Sequence, residues 1–278
     1  MLVLQKHHIT DLYVWVDDLV PKPIINLTIG GRPKLLSEAE VITLLVWSSL
    51  ATKAQTLKEV YQLAQLYHAN DFPKLPKYKR FVENCHAALP SLVFILNQIL
   101  QTDSPVKIMD STMLEVCKLI RADSHKTCRN IAAFGKNHQG WHYGFKLHAS
   151  INLKGQLGGL ALTPANIHDA QMMPNILNKH TKVAVGDGGY TASVMKTRIW
   201  ETYGTLVVSP PHFKQDKKLI TWWQYKLLTI RPKIETVFDY LKEHLHLVSS
   251  FPRSVIGYLL HYIRILLAYQ IMAISKEN

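Results

Sequence analysis

The sequence predicts an α/β protein with two regions: an all-α helical region at residues 1–103, and at residues 104–278 a domain with a mixed five-stranded sheet and helices. Three observations predict this organisation. Helical periodicity and capping signals dominate before Pro105, alternating strand patterns dominate after it, and acidic residues stand at the ends of two predicted strands. The change of pattern at Pro105 marks the predicted boundary.

Short predicted helices separated by brief turns fill the first region. Weak helical periodicity predicts the first helix at Thr10–Leu19, and Pro and Gly residues end it. Capping boxes of the S/T-x-x-E type open the next two helices, at Ser37 and at Thr56. Two further helices are predicted at Tyr78–Ala88 and Ser91–Leu100. Short helices in a basic chain favour a helix-turn-helix-like DNA-binding region.

An antiparallel meander is predicted at the start of the second region. Val106–Val116 is rich in apolar and β-branched residues, and Trp141–Asn152 alternates between apolar and polar side chains. A Lys-Gly turn then leads into a third strand, LGGLALTPAN. The polar segment Arg121–Asn130 is predicted as a loop or hairpin tip.

Helices and strands alternate in the rest of the domain. A helix is predicted at His168–Asn178, with Asn166 or Asp169 as its cap, and Asp169 is interpreted as a cap rather than a ligand. The short buried strand KVAVGDGGY ends on Asp187, and a helix at Ala192–Tyr203 and a strand, TLVVSPP, follow. After a basic aromatic insertion comes a helix at Arg231–Leu245. The order β-β-β-α-β-α-β, insertion, α is the layout of a ribonuclease H-like domain.

The composition points to a polyanionic partner. Lys and Arg number 32 against 20 Asp and Glu, which gives a formal net charge of +12. Neutralising phosphate is the commonest use of such an excess, although an acidic membrane surface or ribosomal RNA fits the same charge. The three cysteines are widely spaced and form no CxxC pair, so neither a zinc finger nor a disulfide framework is indicated.

Two apolar segments bear on localisation. The apolar LVL after Met1 is interrupted at once by polar residues, so no secretory signal is predicted. Ser254–Ile274 is nearly long enough to span a bilayer, but it carries His261, Arg264 and Gln270 beside an apolar stripe. We therefore predict a buried helix that closes the catalytic domain, no membrane partner and a cytoplasmic location.

Three acidic residues carry the chemical hypothesis. Asp110 ends the first strand, Asp187 ends the fourth, and Glu235 lies on the helix after the insertion. Strands one and four of a ribonuclease H-like sheet are neighbours, so these carboxylates are predicted to meet at one end of the sheet. Close carboxylates repel one another unless cations lie between them. Hard oxygen ligands favour Mg²⁺ or Mn²⁺, and two such ions catalyse phosphodiester transfer.

Simpler interpretations exist for the same residues. A single Asp at a strand end is usually a turn or capping residue, and GDGG can be only a tight turn. Arg231 and Glu235 can pair across one helical turn without any catalytic role. Asp239 and Glu243 compete with Glu235 as the third acid. The joint occurrence of the acids in this strand order favours the catalytic interpretation.

Five motifs carry a family resemblance. They are, in chain order, IMDST around Asp110, HYGFKLH, TPANIHD, VGDGGY around Asp187, and R-x3-E-x6-K at Arg231, Glu235 and Lys242. Together they resemble bacterial insertion-sequence transposases of the DDE class, in particular the insertion-sequence family numbered 982, which is related to the groups numbered 4 and 5. The resemblance covers roughly residues 105–245.

The resemblance implies a DNA transposase that binds the terminal inverted repeats of its insertion sequence, cleaves there and joins the 3′-hydroxyls to target DNA. It implies that Asp110, Asp187 and Glu235 are catalytic metal ligands for Mg²⁺ or Mn²⁺, and that Arg231 and Lys242 contact the DNA backbone. The implied partner is double-stranded DNA, both transposon ends and target. A homodimer or a larger assembly on DNA is also implied.

Further residues are predicted to contact DNA. Lys146 and His148 lie on the polar face of a predicted strand, where they meet either phosphate or solvent. The insertion at about 209–231 interleaves cations with aromatic residues, which suits phosphates and unstacked bases. Its predicted DNA-binding residues are Lys214, Lys217, Lys218, Trp222 and Trp223. The two tryptophans can instead pack a short helix onto the core. Leu228 departs from the group numbered 4, which has Tyr there.

Two other functions fit these residues. A ribonuclease H-fold endonuclease would cleave DNA without strand transfer, and a catalytically decayed DNA-binding protein would bind DNA without any response to Mg²⁺. The intact set of three acids favours the transposase.

Overall fold

The computed structural model describes residues 8–21, 35–137, 139–211 and 219–276. The helices are α1 (Ile9–Leu19), α2 (Glu38–Ala51), α3 (Leu57–Tyr67), α4 (Tyr78–Ala87), α5 (Leu89–Ile99), α6 (Met173–Ile176), α7 (Ser193–Tyr203), α8 (Trp222–Leu228), α9 (Pro232–Asp239) and α10 (Val255–Ser275). The strands are β1 (Val106–Glu115), β2 (Ala133–Asn137), β3 (Gly140–Ile151), β4 (Leu157–Pro164), β5 (Val183–Val185) and β6 (Leu206–Val208).

The chain divides into two compact units. The first, which we call the helical unit, comprises Met1–Ile99, Glu243–Leu247 and Phe251–Asn278. The second, the sheet unit, comprises Leu100–Lys242 and Val248–Ser250. The sequence places α10 in the catalytic domain, whereas the structure places it in the helical unit. The reason is that its apolar side chains pack against α2 and α5.

Capping boxes open two helices of the helical unit, as predicted. The amide of Glu40 donates to Ser37 Oγ at 3.1 Å, and the Glu40 carboxylate accepts from the Ser37 amide. Thr56 and Glu59 make the same reciprocal pair at the start of α3. Such boxes satisfy amides that have no partner inside the helix. These local signals fix where α2 and α3 begin.

The helix α10 is held by a buried cation. It is the one described helix long and apolar enough to cross a membrane, yet 67% of its most apolar stretch is buried inside the structure. The fully buried Arg264 guanidinium donates to the carbonyl oxygens of Ala54 at 2.7 Å and Gln55 at 3.0 Å, and to Ser49 Oγ at 3.3 Å. These bonds tie α10 to the end of α2 and to the turn before α3.

The sheet unit contains a mixed sheet of six strands rather than the predicted five. Its order is β2-β3-β1-β5-β6, and β4 also pairs with β3. The additional strand is β2, a five-residue segment that pairs antiparallel with the first half of β3. The AFGKN sequence of β2 is too short to show a period, which explains why the sequence pattern did not predict it.

Parallel pairing of β1 with β5 places the two predicted aspartates. Ile108 of β1 pairs with Val185 of β5. Asp110 follows Ile108 by two residues, and Asp187 follows Val185 by two residues. Neighbouring parallel strands run in the same direction, so both carboxylates lie close to the C-terminal end of β5. Asp110 does not end its strand as predicted, because β1 continues past it to Glu115 and pairs there with β3. Met109 is buried in the apolar core, and alternation along the strand turns the next side chain, Asp110, away from that core. The predicted neighbourhood of strands one and four is therefore confirmed.

Two predicted helices differ in detail. His168–Asn178 forms a single-turn 3₁₀ helix followed by the short α6. The helix predicted at Arg231–Leu245 is α-helical only through α9 and then continues as a π-helical turn at Tyr240–His244. A π turn holds more residues per turn than an α-helix, so the side chains beyond it lose the 100° spacing assumed for one continuous stripe.

Candidate active site

A cavity of about 690 Å³ lies in the sheet unit, beside the middle of β1 and beyond the end of β5. Five carboxylates line it: Asp110, Asp169, Asp187, Glu235 and Asp239. Four cationic side chains also line it: Lys136, Lys146, Arg231 and Lys242. The cavity thus combines acids that attract metal ions with bases that attract phosphate.

Backbone amides orient the carboxylates of Asp110 and Asp187. Asp110 Oδ1 accepts from the amide of Ser111 at 2.7 Å, and Asp187 Oδ1 accepts from the amide of Gly189 at 2.8 Å. Asp187 thereby caps the 3₁₀ turn that follows β5. The GDGG segment is accordingly a turn, as the simpler interpretation holds, and its aspartate also faces the cavity.

Burial and two neighbouring carboxylates disfavour the ionised form of Asp110. Burial is the main cause that raises its pKa to about 7, and the charges of Asp187 and Asp169 act in the same direction. The Ser111 amide and the Arg231 guanidinium oppose this rise. A carboxylate in such surroundings favours the approach of a cation.

We expect the substitution Asp110→Asn to stabilise the fold in the absence of divalent cations. Below the ordinary carboxyl pKa of 3.8, Asp110 is protonated in both the folded and unfolded states, so its ionisation does not lower the free energy of unfolding. As the pH rises to about 7 the unfolded state ionises first, so wild-type stability falls. The variant should be more stable by on the order of 3 kcal/mol at pH 8, and the gain should vanish near pH 4.

Urea denaturation in a chelator across this pH range measures the difference. The exposed Asp123→Asn variant is the matched control, and its stability should follow that of the wild type. A constant difference between the Asp110→Asn variant and the wild type over the whole range would contradict the pKa assignment.

Glu235 lines the same cavity but its carboxylate is paired. Glu235 Oε1 lies 2.6 Å from Nη2 of Arg231, one turn earlier. The row of Arg231 and Glu235 thus forms the helical ion pair that the simpler interpretation describes. Lys242 and the competing acid Asp239 also line the cavity.

The donor set fits a hard divalent cation. Among the described residues, every acidic side chain that lines the cavity is a carboxylate, and neither cysteine nor histidine lines it. In the described part of the chain, however, no three His, Cys, Asp or Glu side chains converge closely enough to bind one metal ion together. Mg²⁺ usually keeps several water ligands and needs only one or two carboxylates, so Asp110 and Asp187 suffice for such a site.

Lys146 and His148 do not lie on a solvated strand face. Both side chains are buried, and His148 is 0% exposed. Lys146 Nζ donates to the carbonyl of Ile167 at 2.9 Å and to Asp169 Oδ1 at 3.2 Å, while His148 Nε2 lies 2.9 Å from Thr163 Oγ1. The prediction that His148 contacts DNA is therefore wrong, because its ring is buried against Thr163 and Asp169. Lys146 lines the cavity.

Asp169 is not the helix cap that the sequence predicts. The cap of the 3₁₀ turn is His168, whose ring accepts from the amide of Ala170 at 3.3 Å. The Asp169 carboxylate instead pairs with Lys146 and faces the cavity. Its location depends on contacts between segments far apart in sequence, which a local capping pattern does not report.

The aromatic residues of α8 are on the surface. Trp222 is 65% exposed and Trp223 is 47% exposed, and no residue of α8 is buried. The amino group of Lys226 lies 4.2 Å from the ring centroid of Trp222. The structure therefore does not support packing of the two tryptophans into the core. Lys214, Lys217 and Lys218 lie outside the described residues.

Three residues of the cavity wall have no counterpart in the sequence prediction. Lys136, Asn137 and Gln139 lie at the end of the hairpin formed by β2 and β3. Their only sequence signal is a polar turn between two weak strands. Recognising β2 from its sequence would have been needed to place them.

Comparison with known proteins identifies relatives of this chain. The protein family described as Transposase DDE domain matches residues 101–255. A solved structure described as a cryo-EM structure of a piggyBac transposase synaptic complex with hairpin DNA is also similar. Its sequence identity is 8%, the match covers 99% of this chain and 74% of that one, and the TM-score is 0.48.

Proposed function

We propose that this chain, which belongs to the transposase DDE domain family, binds the terminal inverted repeats of an insertion sequence, cleaves at those ends and joins the 3′-hydroxyls to target DNA. The observation that carries this proposal is the parallel register of β1 and β5. It brings Asp110 and Asp187 close together near the end of β5, and both line a cavity that lysine and arginine side chains also line. We assign the sheet unit to the ribonuclease H-like class and the chain to the group of the insertion-sequence family numbered 982.

Asp110 and Asp187 would hold divalent cations, with Glu235 as the third acid that the family resemblance implies. Transposase DDE domains generally use divalent metals, and Mg²⁺ or Mn²⁺, two per site, fits oxygen donors. When bound, these ions activate water or a 3′-hydroxyl and stabilise the departing oxygen of a phosphodiester. The carboxylates fix the position of this chemistry on two rigid strands.

Arg231 links DNA binding to the third acid. Its guanidinium pairs with Glu235 in the described structure, and a DNA phosphodiester, which also carries one negative charge on two oxygens, can take the place of that carboxylate. We infer that phosphate binding at Arg231 releases Glu235 toward the two aspartates. Lys136 and Lys242 add positive charge to the same wall.

The wider DNA surface includes α8 and the helical unit. The exposed aromatic rings of α8 offer stacking surfaces for unpaired bases near a transposon end. The short capped helices before Leu100 serve as the helix-turn-helix-like region that reads the inverted repeat. Two ends must meet for strand transfer, so we propose a homodimer or larger assembly on DNA, in the cytoplasm.

We expect Trp222→Ala to weaken binding of a transposon end with an unpaired terminal base by about tenfold, since base–aromatic stacking contributes about 1–3 kcal/mol per base. The melting temperature should not change, because the ring is exposed. Fluorescence anisotropy with fully paired and end-frayed duplexes measures the effect. Trp200, 58% exposed on α7, supplies the matched control in Trp200→Ala. Equal affinities for the frayed duplex in both variants would contradict a stacking role.

The function itself is tested by incubating purified protein with a labelled duplex that carries the end of the element, with Mg²⁺ and a target plasmid. Cleavage at the end together with a joined product supports the transposase. Cleavage without joining would identify a ribonuclease H-fold endonuclease. Specific binding that ignores Mg²⁺, without cleavage, would identify a decayed DNA-binding protein.

A further inference from the structure

The sequence predicts Asp169 as a helix cap, whereas the structure places it among the carboxylates of the cavity. Its Oδ2 atom lies 3.1 Å from the position that a Cβ on Gly189 would occupy, and Asp187 Oδ1 lies 3.0 Å from the same position. A Cβ at residue 189 would crowd both carboxylates, which would have to shift by a few tenths of an ångström. The glycine therefore leaves open the space between Asp169 and Asp187.

A buried set of polar groups holds Asp169 in this place. Lys146 Nζ bridges Asp169 Oδ1 at 3.2 Å and the carbonyl oxygen of Ile167 at 2.9 Å. His148 Nδ1 lies 3.5 Å from the same Oδ1 atom, and the other ring nitrogen pairs with Thr163. Lys146 compensates the charge of Asp169 and leaves its second oxygen, Oδ2, toward Gly189 and the cavity.

Two buried polar atoms beside Asp169 lack hydrogen-bond partners among the described residues. One is the hydroxyl of Tyr190, a residue that is 0% exposed, and the other is Nδ1 of His148. Asp169 is the strongest charged neighbour of Tyr190, ahead of Asp110 and Asp187. Buried polar atoms are nearly always satisfied by protein or by ordered water. A water molecule, including a water ligand of a bound cation, can therefore satisfy the Tyr190 hydroxyl.

We propose that Asp169 is a third cation-facing carboxylate of the cavity, together with Asp110 and Asp187, and that Lys146 and His148 position it. This inference rests on the proposed metal-dependent function of the same cavity. The ligand is a hydrated divalent cation, whose water ligands allow a carboxylate to hold it without direct contact. Because Arg231 pairs with Glu235 in the absence of DNA, the first cation binds near the three aspartates, and its water ligands connect it to those carboxylates that it does not contact directly.

The test measures binding of Mn²⁺ alone to the full DNA-free chain by isothermal titration calorimetry. We expect Asp169→Asn to raise the Kd at least about tenfold, as loss of a group that supports a metal site does. Lys146→Met, which keeps the carboxylate but removes its anchor, should raise the Kd by a smaller factor. Asp123→Asn, at an exposed position of the same unit, is the matched control and should bind as wild type does.

A Kd within twofold of wild type in Asp169→Asn would overturn the inference, as would a wild-type protein that binds no Mn²⁺. Circular dichroism and the melting temperature in a chelator verify folding, and if Asp169→Asn fails to fold, Lys146→Met decides the question by the same titration. A separate cleavage assay on wild type distinguishes the two proposals. If wild type cleaves DNA but Asp169→Asn binds Mn²⁺ as wild type does, only the inference is refuted. If Asp169→Asn loses Mn²⁺ binding but wild type does not cleave DNA, only the proposed function is refuted.

Discussion

Asp187→Asn is expected to abolish strand cleavage, with a rate at least about 10³-fold below that of wild type, while affinity for the DNA end stays within about twofold. The asparagine keeps an oxygen for the Gly189 amide, which lies 2.8 Å from Asp187 Oδ1, so the turn after β5 should persist. It removes the charge that would hold a divalent cation opposite Asp110. Loss of several kcal/mol of transition-state stabilisation corresponds to this factor.

Gel electrophoresis of an end-labelled duplex in Mg²⁺ measures the rate, and anisotropy in a chelator measures the affinity. The exposed Asp123→Asn substitution controls for the loss of one negative charge. If the cleavage rate of Asp187→Asn is within tenfold of the wild-type rate, the cavity lined by Asp110 and Asp187 is not the active site. The proposal would then have to be abandoned, even though the chain belongs to the transposase DDE domain family.

Arg264→Ala is expected to lower the free energy of unfolding by about 3 kcal/mol. The guanidinium is fully buried and donates to the carbonyl oxygens of Ala54 and Gln55 and to Ser49 Oγ. Its removal leaves these acceptors without a donor and opens a cavity between α10 and the end of α2. The loss should be independent of salt because the partners are neutral atoms.

Urea denaturation followed by circular dichroism, at low and high salt, gives the free energy. Arg253→Ala removes an exposed arginine just before α10 and should change it by less than about 0.5 kcal/mol. A loss for Arg264→Ala as small as that of the control would show that water satisfies the Ala54 and Gln55 carbonyls, and the packing role of Arg264 would be wrong.

Local patterns predicted much of the fold. The capping boxes at Ser37 and Thr56 were readable because both partners lie within four residues. The proximity of Asp110 and Asp187 could be predicted because strands one and four are neighbours in the assigned layout of the sheet, although β1 continues past Asp110 to Glu115. Each of these signals needs only the chain nearby and the handful of ways in which strands associate.

Long-range contacts decided what could not be predicted. The partner of α10 depends on which apolar surface it meets, and its own stripe fits a sheet as well as other helices. The roles of Lys146 and His148 changed because Asp169 and Thr163 contact them, which strand alternation alone does not reveal. The ion pair of Arg231 with Glu235 has the spacing predicted, but whether phosphate or carboxylate occupies the guanidinium depends on the bound state.

The register of β1 against β5 also constrains how the length of this chain can change. Ile108 and Val185 are paired, and each precedes its aspartate by two residues. Deleting or inserting one residue in either spacer would turn one carboxylate to the opposite face of the sheet and shift it by about 3.3 Å. The long connection from Glu115 to Val183 has no such restriction where it runs through surface turns. Insertions and deletions can therefore accumulate in those turns, whereas the lengths of the two short spacers must stay constant to keep Asp110 and Asp187 in position.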